Sequence, residues 1–382
     1  MFNVAIYNTD PISCLTRNII EKYYNQVMNS RWGGGNLNVV SYFELTAPQK
    51  DIVEDIANLN FLQMRSLYKK SLIQGVVVPR ELYMGQTSIV PFMIHNGING
   101  EDIYITPRIA HIKSISEDEL IHFLTPYYSA KYLHYLEFHI ADHCNLNCKA
   151  CEHYSGLVES PKFTDFNKFT KDIERLHEFI DDIGMIRILG GEPLLNPEVD
   201  KYVTLCRRLY PNTIISVVTN ALLLLNMPEH FFQTLRDNDA QIHISLYPPM
   251  ADKFHDICRL LESKGINYGF SPLMEEFEMK QTTVKAETPD YFYSCYQSRC
   301  HNLYEGKIAA CFLPFTTKYF NRYFNQNIPE DGAIDLYDEN LTTESLKKAL
   351  LKPFERCKYC KNPVKVKWEQ IKKPSKLSDW IA

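Results

Sequence analysis

The sequence contains no apolar run long enough to span a bilayer and no apolar segment of the kind found in secretory signals. Neither sign of charge dominates, because 41 lysines and arginines stand against 46 aspartates and glutamates, for a formal net charge of −5. A broad binding surface for nucleic acid needs an excess of positive charge. We therefore expect a cytoplasmic globular protein that binds neither membranes nor nucleic acid.

The amino-terminal part lacks the G-x-G-x-x-G fingerprint of dinucleotide-binding domains. Residues 8–13, which follow the first predicted strand where that fingerprint would be required, read Asn-Thr-Asp-Pro-Ile-Ser. Apolar patterns predict further strands at 37–42, 75–78 and 102–105, and helices over 14–28 and near 50–72. We predict a separate α/β domain with Rossmann-like alternation over residues 1–130, of unassigned role and without a dinucleotide.

Disulfides are not expected, although the chain has 11 cysteines, because nothing in it indicates an oxidising compartment. Cys206 and Cys258 lie on the apolar faces of predicted helices and are expected to be small core residues. Three further cysteines lie within residues 144–151 and five within 295–360. Such groups predict metal ligands rather than disulfide partners.

The first group has the spacing Cys144-x3-Cys148-x2-Cys151. Three thiolates within eight residues can hold three irons of a four-iron cluster and leave the fourth iron open to a small molecule. A zinc site with His143 or His153 as the fourth ligand is the alternative that this spacing leaves open.

The residues around this group alternate regularly between strand and helix patterns. Strands are predicted at 135–140, 185–189, 213–219, 241–247 and 266–272, with helices at 165–183, 198–210, 228–238 and 251–265. Consecutive βα units place parallel strands side by side and curl into an open or closed barrel, with the active site at the carboxyl ends of the strands. A zinc ribbon requires no such scaffold.

Residues suited to binding a ligand stand at the carboxyl ends of these strands. The second strand ends in Gly190-Gly191-Glu192, where missing side chains let the backbone approach a ligand and the carboxylate can meet an ammonium group. The third strand ends at Asn220 and the fourth at Ser245, although both residue types are also common in ordinary turns. Ligand-suited residues at consecutive strand ends favour a shared binding site.

In these features the chain resembles the radical S-adenosylmethionine (radical SAM) enzymes, over roughly residues 132–275 with a partial match to residue 360. The resemblance implies a partial (βα)6-type barrel over 131–285 and a [4Fe-4S] cluster on Cys144, Cys148 and Cys151. It implies that S-adenosylmethionine binds the open iron and yields a 5′-deoxyadenosyl radical that removes a hydrogen atom from the substrate. It also implies cofactor contacts from the backbone and carboxylate of 190–192, from Asn220 and from Ser245. Ala150 and Ala221 depart from the family, which often has an aromatic residue and a glycine at these places.

The second group resembles the auxiliary-cluster modules of such enzymes, called SPASM in the longer form and twitch in the shorter form. It comprises Cys295, Cys300, Cys311, Cys357 and Cys360. The shorter form implies a second [4Fe-4S] cluster held by Cys311, Cys357, Cys360 and either Cys295 or Cys300. A zinc ribbon is the alternative here. We predict a cysteine-rich domain over residues 286–382, with a basic tail that packs across it.

The resemblance implies an enzyme that draws electrons from a flavodoxin or ferredoxin. A second, saturated cluster favours a net oxidation, and we expect a small polar or carbohydrate-type substrate. One alternative is the maturation of a ribosomal peptide, in which the amino-terminal domain would bind a leader segment. Another, from outside enzymology, is a non-catalytic metal protein that carries zinc or electrons.

Overall fold

The computed structural model describes residues 2–32, 36–48, 50–80, 89–109, 116–281, 284–286 and 289–381. The chain divides into two compact units, Met1–Lys131 and Tyr132–Ala382. This division lies one residue from the predicted end of the amino-terminal domain. The predicted boundary between residues 285 and 286 falls inside the second unit and stays a prediction.

The first unit is built on a seven-stranded sheet in the order β3-β4-β2-β1-β5-β6-β7. Its strands, β1 to β7, are Phe2–Tyr7, Leu37–Glu44, Ile52–Val53, Ile56–Asn60, Gly75–Val78, Ile103–Ile105 and Thr125–Pro126. The described helices are Pro11–Ile19, Asn25–Trp32, Phe61–Lys69, Ile89–His95 and Glu117–Ile121, with a π-helical turn at Ile20–Tyr24. Strands β4, β2, β1, β5 and β6 are parallel, so the α/β class predicted here is confirmed.

The helix predicted near residues 50–72 is partly wrong. Residues 52–60 form β3 and β4, and the helix begins only at Phe61, after Asn60 and Gln63 form a reciprocal cap. The spacing of Ile52, Ile56 and Leu59 also fits a helical face, which is why the pattern is ambiguous over this short stretch. Pairing with β2 fixes the strand conformation instead.

The second unit contains an eight-stranded sheet in the order β12-β11-β10-β9-β8-β14-β15-β16. Its first five strands in the chain, β8 to β12, are Tyr132–Ala141, Asp182–Gly190, Ile214–Thr219, Ala240–Ile244 and Tyr268–Phe270. They pair in parallel and in chain order, as predicted. Between them run the helices Phe166–Phe179, Val199–Leu209, Glu229–Asp237 and Phe254–Ser263.

The two faces of these strands differ in polarity. One face carries buried apolar residues such as Phe138, Ile188 and Val217, which form one core with apolar residues of the helices. Because side chains alternate along a strand, the opposite face receives Glu137 and Arg187, which are direct neighbours across β8 and β9. The helices therefore cover the apolar face and leave a polar one.

The carboxy-terminal part extends the same sheet. Strands β14 to β16, at Asn302–Tyr304, Lys307–Ala309 and Ala333–Asp335, add to the edge of β8, while β13 (Glu276–Gln281) and β17 (Cys360–Lys367) form a separate antiparallel ribbon. The remaining helices of this part are Leu313–Phe324 and Thr343–Leu350. Over the described residues the sheet does not close, in agreement with a partial barrel. In the described parts of the chain, no helix has the length and apolar character needed to cross a membrane.

Candidate active site

The first cysteine group lies in the loop that follows β8 and faces a cavity at the carboxyl ends of the strands. Cys144, Cys148 and Cys151 all line this cavity, which has ≈ 590 Å³ of empty space including space open to solvent. The other lining residues come from the loop and from strand ends: Leu146, His153, Ser155, Leu189, Gly190, Gly191, Val218, Thr219, Asn220, Ser245, Tyr247 and Phe277. The structure thus brings the three cysteines together with four of the five predicted cofactor-binding residues.

The three thiols are held in surroundings that oppose a free negative charge. Burial raises the pKa of Cys144 and Cys151, and burial with the neighbouring Cys151 raises the pKa of Cys148 to about 12. Thiols of this kind deprotonate when a metal supplies positive charge. The donor set therefore fits an iron–sulfur cluster. No group of three or more His, Cys, Asp or Glu side chains is placed to hold a single metal ion, as far as the described residues extend.

The two histidines of the zinc alternative differ in whether they reach the cysteine cavity. The Nδ1 atom of His143 accepts a hydrogen bond of 3.1 Å from the backbone of Lys162, and its ring meets Phe163 edge-on. His143 is not among the residues that line the cysteine cavity, whereas His153 is. The His153 ring packs against Phe312 with 4.1 Å between ring centroids.

Gly190 and Gly191 are required by the backbone of the cysteine loop. A Cβ atom at Gly190, where φ is +150°, would lie 2.1 Å from the carbonyl oxygen of Ala141, and one at Gly191 would lie 2.2 Å from that of His143. The Gly191 amide donates to Ala141 at 2.7 Å. The close approach that we expected toward a ligand is therefore, first of all, an approach to the loop that carries the cysteines.

The Glu192 side chain points into the protein. It is 0% exposed, and it is not among the residues that line the cavity. Its carboxylate accepts hydrogen bonds from Thr219 Oγ1 (2.7 Å), the Leu194 amide (3.0 Å) and the Asn220 amide (2.9 Å). Burial raises the pKa of Glu192 to about 7, although these donors favour the charged form. The carboxylate joins the ends of β9 and β10, and its direct contact with an ammonium group stays a prediction.

Asn220 and Ser245 both reach the cavity. The Asn220 side-chain amide donates to Asn145 at 2.7 Å and lies 3.7 Å from the Cys144 sulfur, so it touches the cysteine loop itself. The Ser245 amide donates to the Thr219 carbonyl at 2.9 Å, which fixes Ser245 one residue beyond β11. These contacts explain their placement, and a role in cofactor binding stays a prediction.

Sequence reasoning missed two aromatic walls of the cavity, Tyr247 and Phe277. Their rings meet edge-on at 5.6 Å, and Trp368 from the carboxy-terminal segment stacks on Tyr247 at 6.2 Å. Tyr247 lies two residues after Ser245, and the alternation of a strand could have indicated that both face the same side. Nothing local in the sequence indicates the approach of Phe277 or Trp368.

Four of the five carboxy-terminal cysteines line a second cavity, with ≈ 390 Å³ of empty space. They are Cys295, Cys311, Cys357 and Cys360. Burial raises the pKa of Cys311. Burial, together with the neighbouring Cys360 and Cys295, raises the pKa of Cys357 to about 12. These four cysteines fit an iron–sulfur cluster for the same reason as the first cysteine group, because buried thiols deprotonate when a metal supplies positive charge.

Cys300 does not line this cavity. A short 3₁₀ helix, Tyr296–Arg299, separates it from Cys295, and its thiol donates to the Tyr296 carbonyl at 3.7 Å. The geometry therefore favours Cys295 in the choice that the sequence left open. The assignment of ligands stays a prediction.

The basic tail contacts the region predicted as the cysteine-rich domain, because Trp380 packs in one cluster with Leu313 and Phe320. The tail also runs along the first cysteine loop, which was not predicted. There the Ile371 amide donates to the Asn147 carbonyl at 2.7 Å, and the Ala150 amide donates to the Asp379 carbonyl at 2.9 Å. Trp380 is 2% exposed and packs beside Tyr154. Long-range backbone pairing places the tail there, and its lysine-rich composition gave no sign of it.

One family model matches the part of the chain that holds the first cysteine set. Residues 138–263 match the sequence model of the radical SAM superfamily. GTP 3′,8-cyclase of Clostridium botulinum (strain Okra / Type B1) is 27% identical over 161 residues, which cover 41% of this chain and 47% of that protein. Molybdenum cofactor biosynthesis protein 1 of Homo sapiens is 30% identical over 149 residues, covering 36% of this chain and 23% of that protein.

Among solved structures, BtrN in complex with AdoMet and 2-DOIA is similar with a TM-score of 0.40 and 16% identity, over 61% of this chain and 93% of BtrN. The matches to the curated relatives span about half of their length or less. A radical SAM domain implies a [4Fe-4S] cluster and S-adenosylmethionine, and the three cysteines of the loop fit such a cluster. The chain thus carries a radical SAM domain over residues 138–263, as the cysteine motif predicted.

Proposed function

We propose that this radical SAM enzyme carries out a net two-electron oxidation of a small polar or carbohydrate-type molecule. The observation that carries the proposal is the second set of cysteines, Cys295, Cys311, Cys357 and Cys360, which line one cavity. Four cysteine ligands saturate a four-iron cluster, so such a cluster can accept an electron but offers no iron to a substrate. An electron acceptor within the enzyme favours oxidation over a redox-neutral rearrangement.

In this proposal, Cys144, Cys148 and Cys151 hold the catalytic cluster at the mouth of the barrel. With one electron from a flavodoxin or ferredoxin, a cluster and S-adenosylmethionine bound there would supply a carbon radical able to remove a hydrogen atom from the substrate. The substrate would then lose a proton and one electron, and the second set of cysteines would hold the cluster that accepts this electron. The electron taken from the reductant is matched by the electron released, and the substrate loses two hydrogen atoms overall.

The rest of the site positions and shields this chemistry. The buried Glu192 carboxylate fixes the ends of β9 and β10, so that the 190–191 backbone and Asn220 face the cofactor space. Ser245 and Tyr247 also line the cavity. The carboxy-terminal segment packs along the cysteine loop and against Tyr247, and we expect it to limit the access of water to the cavity. Exclusion of water protects a reactive radical from side reactions.

The substrates of the curated relatives do not transfer directly. The cyclase from Clostridium botulinum aligns over only 47% of its length, so a reaction on GTP is a second candidate for this chain rather than its assigned activity. The maturation of a ribosomal peptide is the third.

The test is a substrate panel under anaerobic conditions with a chemical reductant. The panel contains aminocyclitols, sugars, GTP and short peptides, each assayed with and without S-adenosylmethionine. We expect cofactor-dependent formation of a product two mass units lighter from an aminocyclitol or sugar. An isomer of unchanged mass from GTP, or a modified peptide, would overturn the proposal in favour of the corresponding candidate.

A further inference from the structure

A fully buried arginine borders the second cysteine cavity. Arg356 lies in the 3₁₀ helix Glu355–Tyr359, between the cavity and the helix Leu313–Phe324, and it is 0% exposed. It stands one residue before Cys357 and lines the same cavity. A guanidinium group without access to water is strongly unfavourable unless negative charge lies nearby.

The three guanidinium nitrogens of Arg356 point to three different groups. Nη1 lies 3.3 Å from the Cys360 sulfur, in hydrogen-bonding geometry. Nε donates to Thr317 Oγ1 at 3.0 Å, and Nη2 donates to Tyr154 OH at 3.3 Å. Thr317 is 0% and Tyr154 2% exposed, so both anchors are buried as well. The fork geometry of arginine is therefore used to direct one N–H at a cysteine sulfur.

We propose that Arg356 raises the reduction potential of the cluster held by the second cysteine set, and thereby makes that cluster an electron acceptor. This inference rests on the proposed function. The potential of an iron–sulfur cluster depends on net charge, on hydrogen bonds to its sulfurs and on exposure to solvent. A reduced cluster carries one more negative charge than an oxidised one, and the charge of Arg356 does not change. The attraction is consequently stronger in the reduced form, above all where water does not screen it.

The same residue connects the two cysteine sets. Tyr154, whose hydroxyl accepts the hydrogen bond from Nη2 of Arg356, lies three residues after Cys151. The Tyr154 amide donates to the Cys151 carbonyl at 3.0 Å. The contacts thus run without a gap from the loop of the first set to the sulfur of Cys360. Arg356 is positioned to act on the second set while it is held by the first.

The test is a redox titration followed by electron paramagnetic resonance on the full chain. In a Cys144/Cys148/Cys151→Ala background, any remaining cluster belongs to the second set. We expect Arg356→Met to lower its midpoint potential so that the reduced-to-oxidised ratio at a fixed potential falls at least tenfold, or about 59 mV for one electron. Arg356→Lys, which keeps the charge, should shift it less. The matched control is Arg322→Met, at an exposed arginine. Its cluster should have the same midpoint potential as the cluster of the Cys144/Cys148/Cys151→Ala protein.

The outcomes separate the two proposals. If the background protein retains no iron, the second cluster and with it the proposed function fail. If iron is retained and Arg356→Met leaves the potential unchanged, the inference about Arg356 is overturned while the second cluster stands. If Arg356→Met does not fold, a measurement on protein that keeps Arg356 replaces it. The Cys144/Cys148/Cys151→Ala protein is labelled with guanidino-¹⁵N arginine, reduced and examined by pulsed electron paramagnetic resonance. The cluster should show coupling to ¹⁵N, and the absence of this ¹⁵N coupling would contradict the inference.

Discussion

At the scale of single residues, the site depends on how the ends of β8, β9 and β10 meet. Gly190 and Gly191 let the end of β9 lie against the cysteine loop, and Glu192 then ties the end of β9 to the end of β10 through two hydrogen bonds. Gly190 and Gly191 line the cavity, whereas Glu192 does not, and the cofactor contacts predicted for this motif stay predictions. The inward direction of Glu192 could not be predicted, because it depends on groups that are 27 and 28 residues away.

A side chain at Gly191 should displace the cysteine loop. In Gly191→Ala, the new Cβ atom would meet the backbone of His143 at 2.2 Å, and backbone cannot move aside as a flexible side chain can. We expect the iron content after reconstitution to fall from about eight to about four per chain, because only the second set remains intact.

Gly269→Ala is the matched control for this change. It lies in a strand of the same sheet, and its Cβ would have only one neighbour within 4 Å, at 3.7 Å. Its iron content should equal that of the wild type. An iron content in Gly191→Ala equal to that of the wild type would show that the close approach of Gly191 to the His143 backbone is not needed for the first cluster.

The buried Glu192 should produce a recognisable dependence of stability on pH. Its pKa is raised in the folded state from 4.5 to about 7, so between these values the folded protein binds a proton that the unfolded chain releases. This group therefore makes the free energy of unfolding decrease as the pH rises from about 4.5 to about 7. Glu192→Gln should lose that decrease.

The same substitution should also lower stability by about 1–3 kcal/mol, because the new NH₂ group faces the Asn220 amide, which is itself a donor. Both effects are measured by anaerobic urea unfolding at several pH values. Glu198→Gln, at a half-exposed carboxylate paired with Lys201, serves as the control. An unchanged pH profile in Glu192→Gln would contradict the assignment of the raised pKa.

At the scale of elements, the strands of the barrel could be predicted from the sequence because they are separated by strongly amphipathic helices. The short segments at 52–60 could not, since two or three apolar residues fit a strand and a helix equally well. The path of the tail along the first cysteine loop could not be predicted for another reason. Its contacts with Asn147 and Ala150 are formed by backbone groups more than 200 residues apart, and every sequence offers such groups.

The contact between the tail and the cysteine loop should depend on Asn147. Its side-chain amide donates to the Ile371 carbonyl at 2.8 Å, in addition to the backbone bond from Ile371. Removing it in Asn147→Ala should weaken the contact by about 0.5–1.5 kcal/mol. Trypsin should then cleave after the exposed Lys372 about two to ten times faster, which gel electrophoresis can follow.

Glu369→Ala is the control from the same contact. Its side chain forms an ion pair with Lys149 at the surface, at 3.5 Å, and such pairs contribute little. Its cleavage rate should stay within about twofold of the wild type. Equal rates in Asn147→Ala and the wild type would mean that the tail is held elsewhere.

At the scale of the whole molecule, the second unit holds two cysteine sets in one body. The first set lies at the mouth of the barrel, and the second lies where the carboxy-terminal segment folds back. Between them stand Tyr154 and Arg356. The division of these cysteines into two sets could be predicted from their spacing in the sequence alone. The choice between Cys295 and Cys300 needed the turn Tyr296–Arg299, which sends them to different places.

The most direct test of the account is anaerobic reconstitution with iron and sulfide, followed by measurement of iron and of 5′-deoxyadenosine formed with dithionite. The wild type is compared with Cys144/Cys148/Cys151→Ala and with Cys258→Ala, whose cysteine belongs to neither set. The account predicts about eight irons and cofactor cleavage in the wild type and in Cys258→Ala, and about four irons without cleavage in the triple variant. Zinc in place of iron, or a wild type that does not cleave the cofactor, would contradict it.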